Sequence, residues 1–245
     1  MKKLPKKYQP KVKQPENQTR PEPVFTKDEL LNDKMDKEFA NPIIKKLNDN
    51  FPGINIVIGE KKIQDAAKSQ GIEQDGKYLP KGYYDQKNKQ VVLNPTNMTK
   101  DTPVHEFSHA WSKMTKEQRP ELHAKGLELI KGSSFEVDLR AKIEGDPDQK
   151  KAYPTDEIIL EEALAIAIGQ RGAKIFEDAQ KQSKWEAFLN DLTNFLKESL
   201  GFDSSKPYHE LTLREFVDGA SAEVLSGQKV FNAPELTKEQ IIENR

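Results

Sequence analysis

Apolar residues along most of this chain recur at intervals of three and four, the spacing of helices with one buried face. Thr26-Lys27-Asp28-Glu29 has capping-box spacing and leads into Leu30, Leu31, Met35 and Phe39, and Asn41-Pro42 opens a second predicted helix carrying Ile43, Ile44 and Leu47. Pro52-Gly53 breaks that helix, and Ile54-Asn55-Ile56-Val57-Ile58 alternates as a strand does. A short helix over 62–70 should end at Gly71. Gly82-Tyr83-Tyr84-Asp85 and Gln90-Val91-Val92-Leu93, separated by the polar Gln86-Lys87-Asn88-Lys89, predict a hairpin. Thr102 as a cap and Pro103 in the first turn predict a helix burying Val104, Phe107, Ala110, Trp111 and Met114. Pro120 begins another, with Leu122, Leu127, Leu129 and Ile130, closed by Gly132. Residues 133–152 show no period.

The stretch from Asp156 to Gly169 is apolar on nearly all sides, which predicts a fully buried helix. Two amphipathic helices follow. One carries Trp185, Phe188, Leu189, Leu192, Phe195 and Leu196; the other is capped by Thr212-Leu213-Arg214-Glu215 and carries Phe216, Val217, Ala220, Val224 and Leu225. The strands are few and the helices many, so the expected class is α+β, with a small mixed sheet and a helical C-terminal part. The boundaries expected are an arm over 1–25, one domain over 26–230 and a tail over 231–245.

Composition narrows the chemistry. With 245 residues the chain can bury a sizeable core, and 32% charged residues make it polar. It has no cysteine, so any metal must be held by His, Asp or Glu. The net charge of −1 is unevenly spread: residues 1–20 hold seven Lys or Arg against Glu16, +6, which leaves −7 for the rest. That lysine- and proline-rich start reads as an extended arm, suited to an acidic partner such as nucleic acid or an acidic protein surface, or simply solvated. It lacks the apolar run of a signal peptide, and no stretch reaches the roughly 20 apolar residues of a membrane span. A cytoplasmic location is therefore expected, or a virion-associated one on the family resemblance given below.

Two of the four histidines fall in His105-Glu106-Phe107-Ser108-His109. Four residues apart on a helix, their rings project from one face, one turn apart, as two imidazoles must to meet on one ion. Glu106 stands beside them as a general base. This is the H-E-x-x-H pattern of zinc-dependent peptide hydrolysis. The plain alternative is an amphipathic helix with two histidines at its edge. A third ligand is sought inside the buried helix, where an unpaired carboxylate is expensive, and Glu161 and Glu162 are both candidates. His123 is expected to face solvent.

With His105-Glu106-x-x-His109 followed some fifty residues later by Glu162-Ala163-Leu164-Ala165-x-Ala167, the chain resembles the gluzincin zinc metallopeptidases. More narrowly, over about 54–200, it resembles the zincin-like domain of phage and mobile-element polyvalent proteins, which is similar to the catalytic domain of anthrax lethal factor. The resemblance implies a zincin-like fold and a zinc ion held by His105, His109 and Glu162, the glutamate with alanine three residues on. It implies Glu106 as the base, Tyr153 as a residue reaching the cleft, and a protein or peptide substrate pairing with an edge strand, for which Val91 to Asn94 is the candidate. Ile166 departs from it, standing where lethal-factor-like proteins have a second acidic residue. The rival expectation is a catalytically silent protein of the same fold, serving virion assembly.

Overall fold

A computed structural model of the chain describes residues 24–26, 28, 30–69, 80–182, 185–200 and 210–231. The expectations for the arm before Val24, for Gly71 and for the tail after Phe231 lie outside them.

Among the described residues no α-helix follows Thr26 before residue 37, and Asp28 lies in a 3₁₀ turn. Residues 30–35 instead run along the rest of the molecule, with Leu31 N donating to Gln170 O at 3.0 Å and Lys34 bridging to Thr99. These long-range partners take the backbone groups that a local helix would have used. Helix α1 (Lys37–Asn50) begins at Asp36, whose side chain accepts from Phe39 N at 2.8 Å. The second helix expected to open at Asn41-Pro42 is thus the continuation of α1. Pro42 leaves only the carbonyl of the exposed Glu38 without its helical donor, while Phe39, Ile43 and Leu47 share the buried face.

Strand β1 (Asn55–Ile58), helix α2 (Glu60–Ser69) and the hairpin β2 (Gly82–Asp85) and β3 (Gln90–Leu93) follow in order. The sheet order is β1-β3-β2, with β1 parallel and β2 antiparallel to β3. Asp85 ties the turn by accepting from Asn88 N at 3.0 Å and Asn88 Nδ2 at 2.7 Å. The central place of β3 corrects the expectation that it lines a cleft as an edge. Val91, Val92 and Leu93 are fully buried, and a strand paired on both sides has no backbone left for a substrate. Among the described residues the antiparallel edge is β2.

Seven helices complete the described chain: α3 (Thr102–Gln118), α4 (Pro120–Ile130), α5 (Ser134–Glu144), α6 (Pro147–Ala152), α7 (Asp156–Gln180), α8 (Trp185–Leu200) and α9 (Leu213–Ser226). Helix α3 lies between the sheet and α7, and α9 packs across α7, α8 and α3. Thr102 is the first residue of α3, and Met114 on that helix is 39% exposed rather than buried. Residues 133–152 form α5 and α6: Ser133 accepts from Glu136 N, and the Glu136 carboxylate reaches back to Gly132 N. Thr212 and Glu215 make the expected reciprocal cap of α9.

The residues at both expected boundaries pack on the rest of the chain. Phe25, assigned to the arm, is buried against Phe135 and under the Arg214 guanidinium, 4.6 Å from the ring centroid, while Arg214 Nη2 donates to Val24 O at 3.0 Å. Phe231, assigned to the tail, stacks on Phe216 at 5.3 Å. No helix among the described residues is long and apolar enough to cross a membrane.

Candidate metal centre

Helix α3 sets the histidines in place. His105 N donates to Asp101 O at 2.9 Å, so the first turn is regular and His109 follows one turn later on the same face. Their rings are perpendicular, with centroids 4.8 Å apart, and their Nε2 atoms lie 3.2 Å apart. Facing them from α7, Glu162 places Oε1 3.4 Å from His105 Nε2 and Oε2 3.4 Å from His109 Nε2. His105, His109 and Glu162 thus converge from two helices as a group that could hold a metal ion.

The electrostatics follow from crowding. Burial works to discharge His105, but the Glu162 carboxylate, helped by Glu106 and Asp101, outweighs it and raises the imidazole to about 9. Burial equally opposes the charge of Glu162, yet the two histidines hold it far below the carboxylate range. Both groups are therefore charged when no cation is present, each serving as the other's counter-ion.

Glu106 is 4% exposed and turns toward the sheet. A Cβ on Gly82 of β2 would stand 3.0 Å from its Cγ and Oε1, so the strand can approach only because residue 82 has no side chain. Burial raises the Glu106 pKa against the pull of His105 and His109. Tyr153, the residue that ends α6, stands near Glu162; burial, then the charges of Glu162 and Glu106, push its phenol well above the usual range.

Glu161 points elsewhere. Its Oε1 lies 3.2 Å from Lys116 Nζ and 3.4 Å from His123 Nε2, and Lys116 also pairs with Glu157 at 2.7 Å. His123, against the cost of burial and with help from Lys116, lowers the Glu161 pKa to about 2. His123 is itself 5% exposed, which corrects the expectation that it faces solvent: the polar end of α4 is covered by the acidic start of α7.

Three features have no counterpart in the sequence reading. Asp101, one turn before His105, has a buried Oδ1 without a hydrogen-bond partner among the described residues, and it supplies negative charge near the histidine that Ile166 does not. Gly169 on α7 lies against the His105 backbone. Behind the site, Glu223 of α9 is buried and fully satisfied: Arg119 binds it through Nη1 at 2.9 Å and Nη2 at 2.7 Å, Trp111 Nε1 donates at 2.7 Å, and Val230 N and Phe231 N donate at 2.8 and 3.2 Å. Such a network anchors the helix that carries both histidines, since removing one partner of a buried pair costs about 3–5 kcal/mol. A Trp, an Arg and a Glu more than a hundred residues apart carry no local signal.

No family model, curated protein or solved structure matches this chain.

Proposed function

We propose that this chain is a zinc-dependent peptide hydrolase of the zincin type, with His105, His109 and Glu162 as the ligands and Glu106 as the general base. The observation that carries the reading is the convergence of the ligand atoms: one nitrogen of each histidine and one Glu162 oxygen lie within 4.8 Å of one another. Bonds of about 2.0–2.2 Å at tetrahedral angles put neighbouring donors about 3.3–3.6 Å apart. Here the two Nε2 atoms are 3.2 Å apart, and each lies 3.4 Å from a Glu162 oxygen, Oε1 for His105 and Oε2 for His109. Two imidazoles and one carboxylate, with cysteine absent from the chain, form a donor set suited to zinc and leave a fourth position open, as catalytic rather than structural sites do.

Zinc held there would supply Lewis acidity, lowering the pKa of water toward roughly 7 and polarising a carbonyl. The protein's own groups do the rest. Glu106, whose pKa is raised by burial, accepts a proton from the attacking water and delivers it to the departing amine. Tyr153, kept protonated, donates a hydrogen bond to negative charge developing on the carbonyl oxygen. Strand β2, paired on one side with β3, offers its other side to an extended peptide, and the short Gly82 brings that peptide beside Glu106.

Glu106→Gln keeps the size of the side chain and removes its basicity. The variant should bind zinc as the wild type does and lose hydrolysis of a peptide library by a factor of about 100 or more. Unchanged cleavage by the variant, or a zinc-loaded wild type that cleaves no member of the library, would count against the proposal.

A further inference from the structure

Helices α3 and α7 run antiparallel. Lys116 near the end of α3 pairs with Glu157 and Glu161 near the start of α7, while Val104 and His105 at the start of α3 lie against Gly172 and Gly169 further along α7. At Gly169 the approach reaches the neighbouring backbone. A Cβ built there would stand 2.8 Å from His105 Cβ, 3.0 Å from its Cα and 3.2 Å from its backbone N. At Gly172 the nearest atom, 2.7 Å away, is Cγ1 of Val104. The contact at Gly172 is with a side-chain methyl, whereas the backbone of His105 cannot move without moving the helix.

Both glycines lie inside α7, where glycine costs about 1 kcal/mol relative to alanine. Gly169 follows Glu162 by seven residues, about two turns, on nearly the same face. The helix segment that carries the carboxylate is thus the one seated on the histidine backbone.

We propose that Gly169 is a positioning residue for the metal centre: by seating the His105 backbone directly on α7, it sets the 3.4 Å separation between His105 Nε2 and Glu162 Oε1. The inference rests on reading the site as a metal centre. An added methyl must part the helices by roughly half an ångström to reach ordinary contact distance. Metal sites hold their ligand distances within about 0.2 Å, so a displacement of that size exceeds what the site absorbs.

The test measures zinc affinity of the full chain by competition with a chromophoric chelator, for wild type, Gly169→Ala and Gly172→Ala, with melting curves of each stripped protein. Gly169→Ala should bind zinc about tenfold or more weakly, and Gly172→Ala within about twofold of wild type. Cobalt substitution should show an altered visible spectrum in Gly169→Ala alone. If wild type binds zinc and Gly169→Ala binds it equally well, or if both variants weaken binding alike, the role of Gly169 is overturned while the metal centre stands. A wild type that binds no zinc overturns the metal reading itself. Should Gly169→Ala not fold, the same change is made in a His105→Gly background, which removes the one contact under 3.0 Å and leaves those to Cα and N at 3.0 and 3.2 Å. Restored folding supports the contact as the cause, and failure to fold where His105→Gly alone folds overturns it.

Discussion

One step along α7 separates a carboxylate that meets two imidazoles from a carboxylate that meets a lysine. Successive residues on a helix point about 100° apart, so Glu162 turns to His105 and His109 while Glu161 turns to Lys116 and His123. The charges this stores give a pH signature to the metal-free protein. His105 is raised from 6.5 to about 9, so its contribution is complete below 6.5 and is lost as pH climbs to about 9. Glu162 is held below its ordinary 4.5, so its contribution is present above 4.5 and is lost as acid protonates it. The melting temperature of chelator-treated protein should therefore fall between pH 6.5 and about 9. Zinc-loaded protein should hold its melting temperature there, because ligation requires the unprotonated imidazole. A metal-free melting temperature that stays flat across that interval would contradict the ion pair.

The residues that make the candidate site were legible where the chemistry is local. His105, Glu106 and His109 lie within one turn of one helix, so their spacing alone brings them together. Glu162 was set apart from Glu161 only by the resemblance and by the alanine three residues on, since no local rule says which face of a buried helix meets another helix. Gly169 and Asp101 matter through what α7 and the first turn of α3 place beside them, and a glycine in a helix reads simply as a weak helix former.

Among the elements, period and capping carried the hairpin, α3, α4, α7 and α9. The failures were contests between local and distant partners. The Thr26 box lost to backbone pairing with Gln170 and to the Lys34–Thr99 bridge, and α5 went unseen although Ser133 and Glu136 have capping-box spacing, because Phe135, Val137 and Leu139 alternate as a strand's residues do. The strand order was beyond reach: a hairpin does not reveal which of its strands a third will join. That β1 joined β3 makes β2 the strand beside Glu106 and gives Gly82 its importance. Gly82→Ala would drive a methyl to within 2.9 Å of Val92 O and 3.0 Å of Glu106 Oε1. Zinc content should be kept, since the ligands lie on α3 and α7, while peptide hydrolysis should fall about 10- to 100-fold through the displaced base. Full activity in this variant would show that β2 does not position Glu106.

Across the whole molecule, the helices bearing the candidate ligands are held by parts of the chain far from them in sequence. Glu223 gathers α3 and the backbone after α9 onto one carboxylate, and Phe25 closes over Phe135 beneath Arg214. Such a frame suits a site whose ligands must keep their spacing to a few tenths of an ångström, and the central claim is that this spacing is a metal's. Anomalous diffraction at the zinc edge, on crystals of the full chain grown with zinc, tests it most directly. One strong peak is expected about 2.0–2.2 Å from His105 Nε2, His109 Nε2 and a Glu162 oxygen, with Glu161 still turned to Lys116. No peak between α3 and α7, or a peak bound by Glu161 in place of Glu162, would contradict it.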